Sequence, residues 1–111
     1  MPHVDIKYTS DLKNINFKSL FTEIENVINK IDSTAGDCKS RAYPTMDYLH
    51  THIYIHISLL KKSHRDVDFM KNCIGKIENI IKPVLPKGCY YSVELNFSSD
   101  YYITSQTSVS D

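Results

Sequence analysis

The chain has 111 residues, 41% of them hydrophobic and 23% charged, and its 13 basic and 13 acidic side chains leave a formal net charge of zero. That length supports one domain with a modest core, which subunit association would supplement. A neutral chain with no basic stripe is not built to bind nucleic acid, and no run approaches the ~18 apolar residues that cross a membrane.

Cys38, Cys73 and Cys89 have no paired spacing, so neither a disulfide framework nor a zinc knuckle is indicated. Charges at Asp5, Lys7, Asp11, Lys13, Lys18 and Glu23 leave no room for a secretory leader, and a cytoplasmic location is expected.

The chain opens Met1-Pro2-His3-Val4-Asp5-Ile6. Methionine is removed efficiently before small residues, so Pro2 is expected to become the first residue, with a free secondary amine on a rigid ring. Val4, Ile6 and Tyr8 alternate with His3, Asp5 and Lys7 in a strand that anchors this amine and ends at Thr9-Ser10-Asp11. Asn14 or Asn16 then caps a helix whose one face carries Phe17, Leu20, Phe21, Ile24, Val27, Ile28 and Ile31. Residues 32–37 form a turn. Cys38 to Tyr43 read as a short extended segment closed by Pro44, followed by a connection from Thr45 to Tyr48.

From His50 to Leu60 runs a strand with Ile53, Ile55, Ile57 and Leu59 on one face and His50, His52, Tyr54, His56 and Ser58 on the other. The second face is too aromatic and histidine-rich to be merely wet and is suited to meet another subunit. Alternating histidines could also share a metal ion, but no carboxylate or cysteine joins them in sequence; a packed polar interface is preferred and no metal is expected. Ser63 with Asp66 reads as a capping box for a helix carrying Val67, Met70, Cys73, Ile74, Ile77, Ile80, Ile81 and Val84. Gly75 weakens it by about 1 kcal/mol relative to Ala, and Pro83 and Pro86-Lys87-Gly88 end it. Tyr91, Val93, Leu95 and Phe97 alternate with Tyr90, Ser92, Glu94 and Asn96 in a last long strand. Tyr101-Tyr102-Ile103 suggest a further short strand, and residues 104–111 a flexible Ser/Thr-rich tail, leaving 1–103 as the single domain.

Strand–helix–strand thus occurs twice. Right-handed crossovers make the strands of each unit parallel and put both helices on one sheet face. The expected fold is α/β, more narrowly an α+β two-layer sandwich: two βαβ units forming a four-stranded sheet with two helices on one face.

Four segments in order then resemble a known family: Pro2-His3-Val4; Lys39-Ser40-Arg41-Ala42-Tyr43; Tyr54-Ile55-His56-Ile57-Ser58-Leu59 leading to Arg65; and Tyr91-Ser92-Val93-Glu94-Leu95. From Pro2 to about Ile103 the chain resembles 5-carboxymethyl-2-hydroxymuconate isomerase, of the tautomerase superfamily. The resemblance implies a tautomerase-like homotrimer whose sheets meet around a central axis. It also implies a cofactor-free reaction that moves a proton along a conjugated keto acid, with a small-molecule carboxylate as partner. Pro2 is then the base, Arg41 and Lys39 the catalytic cations, and Arg65, Tyr43 and His3 substrate contacts. An N-terminal amine titrates near ~7.7–8. Apolar surroundings and nearby cations lower that value and poise the base for proton transfer.

Two departures stand out. Lys39-Ser40-Arg41 replaces the family's usual Arg-Ser-Arg, and lysine lacks the two-pronged carboxylate grip of a guanidinium. Leu60-Lys61-Lys62-Ser63-His64 replaces a glycine-rich approach to Arg65, and this residue reads as lying in the first turn of a helix. The dipole disfavours a cation there, which hints at an anionic partner. A non-catalytic ligand-binding or structural trimer of the same fold is the alternative.

Overall fold

A computed structural model describes residues 1–108. Its elements are β1 (His3–Thr9), α1 (Phe17–Ile31), β2 (Lys39–Thr45), β3 (His52–Leu59), α2 (Val67–Ile81), a 3-10 turn at Lys82–Val84, and β4 (Tyr90–Phe97). The sheet order is β2-β1-β3-β4. β1 pairs parallel with β2 and β3 parallel with β4, while β1 and β3 meet antiparallel at the centre. Two βαβ units therefore lie side by side, and the expected two-layer fold is the one observed.

Alternation in the central strands sends Val4, Ile6, Ile53, Ile55, Ile57 and Leu59 to one sheet face. There they meet Leu20, Ile24 and Ile28 of α1 and Cys73, Ile77 and Ile81 of α2, all at most 2% exposed. Burying each large aliphatic side chain contributes roughly 1.5–3 kcal/mol before entropy is counted. The helical stripes are wider than the core they feed. Phe17, Phe21, Val27 and Ile31 only flank it, and Val67 and Val84 at the ends of the second stripe face solvent. Among the described residues, no helix is long and apolar enough to cross a membrane.

Asn16 caps α1, its Oδ1 accepting from the Ser19 N–H at 3.1 Å. At α2 the expected capping box is replaced by a simpler device. Asp66 is itself the cap, accepting from the Phe69 N–H at 2.9 Å. Ser63 lies outside the helix, and so does Arg65, one residue before the cap; the dipole argument for Arg65 therefore does not apply. Replacing Asp66 by Ala is expected to cost about 1 kcal/mol. The measurement is a lowered urea midpoint with an unchanged slope.

Three further boundaries differ from expectation. Pro44 lies inside β2 instead of closing it. The Lys39 N–H donates to the Pro2 carbonyl and the Thr45 carbonyl accepts from the Ser10 N–H, so alternate residues, Pro44 among them, face away from β1. An edge strand tolerates a missing donor there. β3 begins at His52, because His50 turns the chain with φ 66°; it does not share the strand face with His52 and His56. Tyr101-Tyr102-Ile103 form no strand. Tyr101 and Ile103 are almost fully exposed, and the segment is held through the Tyr102 side chain instead of a backbone ladder. Residues 104–108 have no regular structure; 109–111 of the expected tail lie outside the described residues.

Candidate active site

The strand directions decide what meets at Pro2. β1 and β2 begin at one end of the sheet, and β3 and β4, running the other way relative to β1, finish there. Pro2, Lys39, the 60–66 loop and the segment after Phe97 are gathered at that end. Pro2 is fully buried, and its carbonyl accepts from the Lys39 N–H at 2.9 Å. The first rung of the β1–β2 ladder thus fixes the proline. The register places His3 beside Lys39 and Asp5 beside Arg41, on the sheet face away from the helices.

Arg41 donates through Nε to Asp5 Oδ1 at 3.2 Å, and its Nη1 lies 3.2 Å from His3 Nδ1. Both partners are partly exposed, so the ion pair contributes at most about 1 kcal/mol; its effect is to orient Arg41. On the other side of the imidazole, His3 Nε2 is 2.9 Å from the Tyr102 hydroxyl, which also bonds the Met1 carbonyl at 3.3 Å. Burial, then the Arg41 charge and the N-terminus, lower the His3 pKa, favouring the neutral ring.

Arg65 is 5% exposed. Its Nη2 and Nε reach Asp32 Oδ2 at 2.7 and 2.8 Å, and its Nη1 reaches the Leu60 carbonyl at 2.7 Å. Asp32 also accepts from the Thr34 backbone N–H at 3.0 Å, the Thr34 hydroxyl at 2.5 Å and His64 Nε2 at 2.9 Å. Burial opposes ionisation of Asp32, but hydrogen bonds from Thr34, His64 and Arg65 outweigh it and hold the carboxyl well below the usual range. Lys62 Nζ is anchored on Thr34, at 3.2 Å from its carbonyl and 3.1 Å from its hydroxyl. This cluster is felt at the chain start. Burial, followed by the charges of Lys62 and Arg65, pulls the Met1 amine below its ordinary value, against a smaller opposing effect of Cys38.

Pro2, His3, Lys39 and Arg41 are therefore neighbours, and Arg65 acts on the same end through its field while its forked edge is taken by Asp32. Tyr43 is not brought there. It pairs with Lys7, four residues along β2 from Lys39 and so about 13 Å away at ~3.3 Å per residue. Farther across the face, His56 Nε2 bonds Asn96 Oδ1 at 3.0 Å, Tyr54 bonds Glu94, and His52 Nδ1 turns back to the His50 carbonyl at 2.7 Å. No three metal-binding side chains converge among the described residues. Clefts of about 420 Å³ between the helices, at Val27, Lys30 and Lys76, and of about 330 Å³ beside Asp11 and Val84 both lie away from Pro2.

Sequence reasoning missed Asp32, Lys62, His64 and Tyr102. Asp32 had a readable signal: an anion at the C-cap of a helix sits against the dipole and calls for a cation. Tyr102 had none, because its partner His3 is 99 residues away in the chain.

No protein-family model matches the chain, and no curated protein matches it in sequence. Solved structures do match in fold. A 5-carboxymethyl-2-hydroxymuconate isomerase from Deinococcus radiodurans R1 superimposes with a TM-score of 0.75 at 17% identity, covering 95% of this chain and 88% of its own. A second structure, a 5-carboxymethyl-2-hydroxymuconate delta-isomerase, gives 0.72 at 14% identity, with 96% and 88% covered. A fused 4-OT, described as a symmetric trimer, gives 0.68 at 12% identity, with 94% and 93% covered. The chain has the tautomerase-like fold of these proteins.

Proposed function

We propose that this chain is a cofactor-free tautomerase that moves a proton along a conjugated keto or hydroxymuconate-type carboxylic acid, in the cytoplasm and as a homotrimer. The observation that carries the reading is the setting of Pro2, buried and fixed at the start of β1 by the Lys39 N–H, one residue after a Met1 amine that burial and the charges of Lys62 and Arg65 hold below its ordinary value. With Met1 removed, the ring nitrogen becomes a secondary amine at that place. Burial and cations keep such an amine neutral closer to working pH than an ordinary one, and a neutral amine is the form that accepts a proton from the substrate, from carbon in a keto acid or from the hydroxyl in a dienol. Lys39 and Arg41 lie beside it to hold a carboxylate, and Arg65 adds field from behind Asp32. His3 links Arg41 to the chain start; Tyr43 lies too far along β2 to join a substrate at Pro2 of the same subunit. The likeness to solved isomerases supports the same reaction class.

The test is a pH–rate profile on a panel of dienol acids such as 2-hydroxymuconate and phenylenolpyruvate, using protein whose mass shows Met1 removed. The base works when deprotonated, so kcat/KM is expected to rise with pH through the amine pKa and then level off. Burial and nearby cations lower such a pKa, so the rise should come at lower pH than for an ordinary N-terminal amine. A profile flat from pH 5 to 9 on every substrate would rule out the amine as base.

A second reading, a non-catalytic ligand-binding or structural trimer, is favoured by one observation: the Nε–Nη2 edge of Arg65 is spent on Asp32 and is not free to grip a substrate carboxylate. Absence of turnover on the whole panel by the Met1-free chain would select it.

A further inference from the structure

The C-terminal segment crosses back to the start of β1, and its one anchoring ring is Tyr102, packed edge-on against His3 with centroids 6.0 Å apart. The hydrogen-bond chain that ends on this tyrosine has a forced direction. Arg41 can only donate, so His3 Nδ1, 3.2 Å from its Nη1, must accept. In a neutral ring the proton then sits on Nε2, which donates to Tyr102 Oη at 2.9 Å. The hydroxyl proton of Tyr102 is left for the next acceptor, the Met1 carbonyl at 3.3 Å. All three bonds run the same way, and each polarises the next.

The final acceptor matters most. The Met1 carbonyl oxygen belongs to the amide that includes the Pro2 nitrogen, and peptide geometry puts the two atoms roughly 2.3 Å apart. Remove Met1, and a polarised O–H is left aimed at a point beside the freed amine. We propose that Tyr102 is a catalytic hydrogen-bond donor, which holds the carbonyl oxygen of a substrate at the place the Met1 carbonyl oxygen marks. His3 and Arg41 are positioning residues that act through it. This rests on the reading of Pro2 as base. As Pro2 takes a proton from the substrate, from carbon in a keto acid or from the hydroxyl in a dienol, the electron pair of the broken C–H or O–H bond stays with the conjugated system and charge gathers on the substrate oxygen, where the Tyr102 hydroxyl stabilises it. When the pair returns to a different carbon, the proton on Pro2 forms the new C–H bond. The tyrosine keeps its own proton throughout.

The experiment compares Met1-free wild type with Tyr102→Phe. Losing one such donor is expected to lower kcat by about 10²-fold with KM little changed, while the rise of kcat/KM with pH stays in place because the amine is untouched. His3→Leu should fall in the same direction, and the double variant no further than the worse single one. A KM-only effect, or an additive double variant, overturns the assignment. Binding gives a readout that needs no turnover. Oxalate, a mimic of a planar enolate, should bind the Met1-free wild type by calorimetry and bind Tyr102→Phe about 10-fold more weakly. Equal binding by the two, or none by the wild type, overturns the role of Tyr102. Failure of the proline reading shows separately, as full activity in a chain whose amine is blocked.

Discussion

A chain carrying one residue ahead of Pro2, whether Met1 itself or an added one, is expected to lose activity by about 10²–10⁴-fold, the range that a positioned base supplies. Its unfolding midpoint should not change. In that chain the Pro2 nitrogen is part of a peptide bond, its lone pair is delocalised into the carbonyl, and it is no base. The fold accepts the extra residue: with Met1 present, Pro2 stays buried and its carbonyl still takes the Lys39 N–H. The Met1 carbonyl even finds a donor in Tyr102. Activity and stability are thus separable at this one bond. Pro2→Ala on a Met1-free chain should fall between the two, because it keeps an amine in the same field but loses the ring that fixes its direction. Kinetics beside a urea titration checks all three proteins. Equal rates with and without the extra residue would falsify the role of the amine.

Patterns of period two and 3.6 are enough to place the layers, because β1, β3 and both helices bury one face and β4 half-buries one. Val4, Ile6, Ile55 and Ile57 declare themselves by alternation, and Leu20, Ile24, Ile28, Cys73 and Ile77 by helical spacing. The same patterns tie Pro2 to Lys39 and Arg41, since a parallel β1–β2 pair starts both strands at one end. What stays hidden depends on side chains meeting across turns. Ser63 and Asp66 have the spacing of a capping box, but Asp66 caps alone. Arg65 reads as a free cation near an anion site, and the carboxylate it meets belongs to Asp32, 33 residues earlier. Tyr102 reads as part of a strand because tyrosine and isoleucine favour one, yet both flanking residues point to solvent. Pairings of this kind leave no periodic trace.

The pairing of Asp32 with Arg65 carries the largest expected effect on stability. Both side chains are at most 3% exposed. Removing one partner of a buried ion pair costs about 3–5 kcal/mol, because the remaining charge is left without compensation. For a domain whose whole stability is roughly 0.05–0.15 kcal/mol per residue, that is a large fraction. Asp32→Ala should therefore unfold at much lower urea than wild type at pH 7, and adding Arg65→Met should restore part of the loss by removing the stranded cation. The pH dependence has a definite sign. Hydrogen bonds lower the Asp32 pKa in the folded state, so its contribution is fully present above the unfolded value near ~3.9 and is lost as pH falls through the lower folded value. Wild type should lose stability on acidification below about pH 4, and the Asp32→Ala variant should lose less over that range. A cost under ~1 kcal/mol would reduce the pair to a surface contact. The same substitution also reaches the chain start. Without the Asp32 charge, Arg65 acts on the amine unopposed, and the amine pKa should fall further below its ordinary value. In whatever fraction stays folded, the rise of kcat/KM with pH should move to lower pH, while Tyr102→Phe leaves it where it was. That difference would separate the charges proposed to tune the base from the hydroxyl proposed to face the substrate oxygen.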